Sequence, residues 1–408
     1  MVVIVQENHS NPTVAISGNL KAGSYFDPAG KEGTSELVAE MIVRGTQKRS
    51  ALELARQTDF VGASISTSSG VEAADFRARS LKKDFPLILE LLSDELRNAS
   101  FPEDQFEKAK GETASGLEQS KESPEARAFR AFYNTVFPAG HPYHELTIEE
   151  AQKNLAAITR DDLVSFHNSY YRPDTTVMVI AGDVTAKEAV ELVSNYFGDW
   201  KAAGPAPRME IATVQPQEKA QRVAIPMADK SEVSVVFGHA LGIRRQDPEF
   251  YPMRIMNQIL GGAGVLGSIL GEEIRVKRGL VYDVYSTFDA TLGAGPWYAA
   301  LGTNPKHLDQ ALAALKDNIR KLKLKGATKQ QFELAREFII GVFPIALETN
   351  AGVARALLNA EFYGLGLDYL RDYARIYRSV TLDQVNNAAR KYLHPDAATL
   401  VIAGPASK

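Results

Sequence analysis

The chain has 408 residues, 45% of them hydrophobic and 24% charged, the composition of an ordinary globular protein. At about 100 to 200 residues per domain this length calls for two or three domains, and a net charge of −4 gives no reason to expect a nucleic-acid or anionic-membrane partner. There is no cysteine, so thiol nucleophiles, disulfides and Cys-ligated zinc are excluded, and no apolar run approaches the ~20 residues of a membrane span.

Met1 leads straight into an apolar strand, MVVIVQ, with no basic n-region or cleavage motif. Either the protein is cytoplasmic or an upstream signal has been removed. The second is preferred because the chain opens inside an element, and it favours the periplasm. An alternating strand follows, TVAISGNL at 13–20. Residues 30–47, GKEGTSELVAEMIVRGTQ, read as a helix that is apolar nearly all round. Glu36 and Glu40 interrupt it at i,i+4, so two like charges share one face. A second strand, GASISTSS, precedes long amphipathic helices. His141 and His144 in GHPYH are spaced i,i+3, but Pro142 breaks any helix that would align them, and the other histidines are scattered singly. No G-x-S-x-G elbow supports Ser/His/Asp catalysis.

Residues 201–221, KAAGPAPRMEIATVQPQEKAQ, are rich in Ala, Pro and polar residues and read as a linker. Beyond it come the strand SVVFGHA, the helical EFYPMRIMNQIL, the glycine-rich GGAGVLG (261–267) and the strand VYDVYSTFDA. Gly262, Gly264 and Gly267 satisfy G-x-G-x-x-G, but a dinucleotide fingerprint must follow a strand and this one follows a helix. A helix C-cap and tight turn is one alternative reading of this segment.

The two halves repeat each other. ITRDDLVSFHNSYYRPDTTVMVIAGD matches VTLDQVNNAARKYLHPDAATLVIAGP at an offset of 222 (380 − 158). DQFEKAKGE matches QQFELAREF at 226 (332 − 106). Each copy of the longer repeat reads as a Thr-capped helix, an X-Pro-Asp turn and a buried strand. Strands and helices are segregated, which predicts an α+β class: two homologous domains, each a mostly antiparallel sheet under a layer of helices. The expected division is 1–200, a linker at 201–221, and 222–408.

Five stretches in order, GSYFDPAGKEGTSELVAEMIVRGT, FPAGHPYHEL, YYRPDTTVMVIAGDV, NQILGGAGVLGSILGEEIRVKRGLVYDVYS and YLHPDAATLVIAGP, resemble the pitrilysin, insulin-degrading enzyme and mitochondrial processing peptidase family, the inverzincins. The resemblance covers essentially the whole chain. It implies paired chains around a chamber for unfolded peptides. Active members carry H-x-x-E-H, two zinc-binding histidines and a general-base glutamate. Here Glu36 and Glu40 stand at the histidine positions and Ala39 at the base position. The third ligand falls near Gly116, with Glu118 the nearest carboxylate. Carboxylates without imidazole favour harder cations, weakly, and Ala39 takes no proton from water, so no metal is expected in this chain. A face on a water-filled chamber, or pairing with arginines from elsewhere, accounts for the two glutamates.

The resemblance also implies an Arg and a Tyr seven residues apart that hold the substrate carbonyl over the metal. IRVKRGLVY supplies Arg275 at a helix end and Tyr282 at a strand start, and such donors suit a developing oxyanion. The resemblance further implies that the glycine-rich loop, with Gly261, Gly262 and Gly264, meets the substrate backbone, beside the equally weighted reading of a helix C-cap and tight turn. The expectation is a metal-free subunit that pairs with a homologous zinc-bearing chain carrying H-x-x-E-H. The alternative is an inactive, core-type structural subunit or peptide-binding scaffold of the same family.

Overall fold

The computed structural model describes residues 1–262 and 267–405. The chain forms two compact units of three segments each. The first comprises Met1–Leu117, Glu149–Met209 and Phe343–Leu370; the second comprises Glu118–Ile148, Glu210–Val342 and Arg371–Lys408.

In the first unit β1 (Val2–Glu7), β2 (Thr13–Leu20), β3 (Ser64–Ser69), β4 (Ala74–Leu81) and β5 (Thr176–Gly182) form one sheet in the order β1-β5-β2-β4-β3. β1 and β5 run parallel and the other neighbours antiparallel. β5 contains the continuous apolar run VMVIAG because it is covered on both faces. Met178 and Ile180 pack into a core with Leu37, Met41, Ile88 and Leu92, while Val179 and Ala181 meet Ala354, Leu357 and Leu358. The last three belong to the helix Asn350–Phe362, far along the sequence.

The second unit repeats this plan. β6 (Gln221–Pro226), β7 (Val233–Ala240), β8 (Val281–Ala290), β9 (Ala294–Thr303) and β10 (Thr399–Gly404) lie in the order β6-β10-β7-β9-β8, with β6 and β10 parallel. Phe237, Trp297, Leu301 and Leu400 form its core with Met253, Met256 and Leu260 of the helix Phe250–Gly261. The helix Pro124–Val136 lies against β7 and β10, and its Phe129, Phe132 and Tyr133 rings pack on Tyr298.

A split at 201–221 separates the two sheets. The compact units differ from that split by an exchange of helices: 343–370 packs with the first sheet and 118–148 with the second. The physical reason is that each sheet has two apolar faces, and the second face is closed by a helix from the other half of the sequence. Both copies of the repeated helix start as expected. Thr159 and Thr381 cap Arg160–Tyr170 and Leu382–Tyr392, each in a reciprocal capping box. Among the described residues no single helix is long and apolar enough to cross a membrane.

Candidate functional site

The helix Thr34–Met41 carries the Glu36/Glu40 pair. Its start is held by Asp27, whose two carboxylate oxygens accept the N–H groups of Gly33 (2.7 Å) and Ser35 (2.8 Å). Burial pushes the Asp27 carboxyl up to about 6, against these hydrogen bonds, which favour its charged form. At the other end a 3-10 turn, Ile42–Arg44, prolongs the helix and keeps Arg44 on the face of Glu40.

Glu36 is exposed, and among the described residues no hydrogen bond or ion pair engages its side chain. Ala39, 1% exposed, lies in the core, and its carbonyl accepts the Thr67 hydroxyl from β3. Glu40 is half-buried and bonded to the Arg44 guanidinium, whose same nitrogen also reaches Glu112 Oε2 at 2.7 Å. Glu112 stands on the helix Glu103–Lys121. The residue of that helix that faces Glu40 is therefore Glu112, one turn before Gly116. Gly116 is exposed, with open space where a side chain would begin, and Glu118 pairs with Lys121 at 3.0 Å.

The two carboxylates on Arg44 shift in opposite directions. Burial raises Glu40, Arg44 opposes that, and the neighbouring Glu112 and Glu36 charges add to it. Open Glu112 is lowered, chiefly by its hydrogen bond to Arg44. Desolvation is the largest influence on Glu40, whereas on Glu112 it is outweighed by the hydrogen bond to Arg44.

Arg275 lies in a π-helical turn, Gly271–Val276, and Tyr282 at the start of β8. Tyr282 sits at a register shift between Val281 and Asp283 and is 55% exposed. Arg275 is exposed as well, and among the described residues no hydrogen bond or ion pair engages either side chain. Nearby Lys277 is engaged by Glu273 at 2.7 Å. π-Turns are rare and frequently found at functional sites.

Gly261 and Gly262 are buried at the end of the helix Phe250–Gly261. A Cβ on Gly261 would stand 2.7 Å from Ser286 Oγ and 2.9 Å from Leu270, so helix and strand meet there only because the side chain is absent. Beside it Asn257 donates to the Ser286 carbonyl and accepts from the Ser286 hydroxyl, both at 2.9 Å, and from Trp297 Nε1 at 3.1 Å. Gly264 lies outside the described residues. His141 and His144 are bonded to the backbone carbonyls of Ala212 (2.9 Å) and Phe137 (2.8 Å).

Comparison with known proteins gives this arrangement a lineage. Residues 2–147 match the family described as Insulinase (Peptidase family M16), and residues 157–338 match the Peptidase M16 inactive domain. The chain belongs to peptidase family M16. An uncharacterized zinc protease of Bacillus subtilis, YmxG, is 24% identical over 403 residues, covering 98% of this chain and 95% of that one. A Helicobacter pylori protein named Non-peptidase homolog YmxG is 23% identical over 406 residues, covering 98% of this chain and 91% of that one. The crystal structure of a peptidase M16 inactive domain from Pseudomonas fluorescens is 26% identical, with a TM-score of 0.89 over 99% of this chain and 95% of that one.

The zinc that an M16 peptidase implies does not fit the residues of this M16 chain. There is no imidazole at the helix pair, Ala39 has no proton-accepting side chain, and a guanidinium already holds Glu40 and Glu112. Among the described residues no group of three or more His, Asp or Glu side chains is placed to hold a metal ion. Two participants escaped the sequence reading. Arg44 was visible four residues after Glu40, and Glu112 closes the repeated DQFEKAKGE. A fixed ligand spacing pointed past both.

Proposed function

We propose that this chain is the metal-free subunit of a two-chain zinc endopeptidase. It supplies Arg275 and Tyr282 as a substrate-carbonyl clamp to a homologous partner that carries H-x-x-E-H and the zinc. The observation that carries the reading is the exposure of the two side chains: both are open and, among the described residues, without a partner, on either side of one short turn, while Lys277 between them is paired. A phenol and a guanidinium held in this way donate to the oxyanion that forms when water attacks an amide. The inactive-domain match supports a division of labour in which neither chain hydrolyses peptides alone.

The test is peptide cleavage by the reconstituted pair, with the size of the complex measured alongside. Tyr282→Phe removes one donor at an exposed position and leaves the fold alone. Loss of one oxyanion donor costs about 10²- to 10³-fold in turnover. Arg275→Ala lowers turnover and apparent substrate affinity together, because a guanidinium that grips the ground-state carbonyl acts before the transition state too. Wild-type cleavage by an intact Tyr282→Phe complex would remove the clamp. The scaffold reading, favoured by the Helicobacter pylori relative named as a non-peptidase homolog, would then stand.

A further inference from the structure

We propose that the open face of β4 docks an extended acidic peptide segment, with Arg77 and Arg79 each holding a carboxylate from residues two apart in that segment.

Side chains alternate across a strand, and β4 divides accordingly. Phe76 and Ala78 lie in the core with Ile16 and Met41, while Arg77 and Arg79 lie on the other face and are exposed. On that face the register sets Ser17 and Ser66 beside Arg77, and Ala15 and Ser64 beside Arg79. The helix Asn350–Phe362 covers the same face over β5 and β2, where Val179, the strand partner of Ser17, packs with Leu357 and Leu358. Arg77 and Arg79 on β4, and Ser64 and Ser66 on the edge strand β3, stay exposed. Two guanidinium groups thus stand among small neighbours, with room beside them for another chain.

A water-facing sheet is ordinarily polar, and opposite charges paired across its strands would stabilise it. Neither arginine has such a pair. Their cross-strand neighbours are Ser or Ala, and among the described residues no hydrogen bond or ion pair engages either guanidinium. Asp75, next along this face, feels the Arg77 charge but forms no ion pair with it. The fold itself does not call for these charges. In the second sheet β9 takes the place of β4. Ile180 and Ile402 correspond at the repeat offset of 222 (402 − 180). Ile16 pairs with both Ile180 and Ala78, and Val235 with both Ile402 and Leu301. Arg77 and Arg79 therefore correspond to the uncharged Ala300 and Gly302.

Charge and spacing select the occupant. A guanidinium grips a carboxylate through two parallel N–H···O bonds. Residues two apart on a strand share one side at about 6.8 Å, and an extended peptide has the same repeat. Carboxylates at i and i+2 of such a peptide therefore meet Arg77 and Arg79 together. One exposed ion pair contributes little, but here two are offered at a spacing the sheet holds fixed.

The experiment measures binding of two labelled peptides of equal composition, TETETETE and TEETTEET, to the full chain by fluorescence anisotropy at low salt. The first has carboxylates at i,i+2; the second has none at that spacing. Wild type is expected to bind TETETETE roughly tenfold more tightly than TEETTEET. Arg77→Thr combined with Arg79→Thr should bind both equally and weakly; threonine suits an exposed strand position. Equal binding of the two peptides by wild type, whether absent or of the same strength, overturns the proposal, as does an unchanged preference in the double variant. If the double variant fails to fold, Arg77→Thr and Arg79→Thr are read singly, since either breaks the pair. Sedimentation of wild type is run alongside: self-association that Arg77→Thr/Arg79→Thr abolishes, with no peptide preference, would replace the peptide by a second copy of this chain. No cleavage is measured, so failure here leaves the Arg275/Tyr282 clamp untouched, and the reverse holds.

Discussion

The side-chain amide of Asn350 donates to the backbone carbonyl of Thr13 at 3.0 Å, although 337 residues separate them. It also donates to Thr13 Oγ1 at 2.9 Å, and its oxygen accepts from Asn8 at 2.7 Å. Asn350 begins a helix capped by Thr349, so this cluster fixes where the helix lands on the first sheet. Asn350→Ala removes hydrogen bonds to half-buried partners and should destabilise the protein by about 0.5–1.5 kcal/mol. Urea unfolding measures it, and an unchanged midpoint would show that the anchor carries no stability.

That landing was not readable in the sequence, and the reason is physical. Helical periodicity shows which side of residues 350–362 is apolar, but not which of two similar sheets that side covers. Duplication makes the ambiguity worse, because β5 and β10 offer nearly the same surface, VMVIAG and TLVIAG. What periodicity and turn chemistry do specify came through: the two capped helices, the closing strands and the segregation of strands from helices. At the site, the helix with Glu36, Ala39 and Glu40 was placed correctly along the chain. The role of Glu112 was hidden because a ligand spacing counts residues, whereas the contact depends on where Arg44 reaches. The bulge at Tyr282 and the π-turn at Arg275 leave no local signature, since both arise from how the helix end meets β8.

Limited proteolysis separates the linker from the units. Residues 201–220 form neither helix nor strand, and Lys201, Arg208 and Lys219 are exposed there. Trypsin should cut first at these positions. Because each compact unit draws segments from both sides of the linker, the nicked chain should elute as one species and separate only in denaturant. Early cleavage inside β5 or β10 would contradict this.

Metal content and the Ala39 position can be tested together. The purified chain should hold less than one zinc per molecule and cleave no peptide. Ala39→Glu alone restores neither property, since imidazoles remain absent. It also places a carboxylate at a position 1% exposed, which should cost at least about 2 kcal/mol. A stoichiometric zinc in wild type, or activity in this single variant, would mean that the helix has been matched to the wrong residues.

Glu95 carries the clearest dependence on pH. It lies in the helix Phe85–Asn98, is 2% exposed, and its Oε2 has no hydrogen-bond partner. Burial pushes its carboxyl up to about 8, the neighbouring Asp94 charge pushes the same way, and Arg49 only partly opposes them. The folded protein therefore keeps this proton at neutral pH, while the unfolded chain releases it near the ordinary glutamate value. Between about pH 4.5 and 8 the native state binds one more proton than the unfolded state, so stability falls as pH rises, by at most about 1.4 kcal/mol per unit. Below that window the contribution is fully present, and above it no further loss occurs. Glu95→Gln keeps the shape and cannot ionise. The variant should match wild type near pH 4.5 and exceed it increasingly up to pH 8, with a ceiling of about 4–5 kcal/mol. Asp27, also raised, titrates in both proteins and cancels from the difference. Urea midpoints at pH 5, 7 and 9 give the comparison. Parallel curves for the two proteins would mean that Glu95 is charged in the folded state and has found a cation.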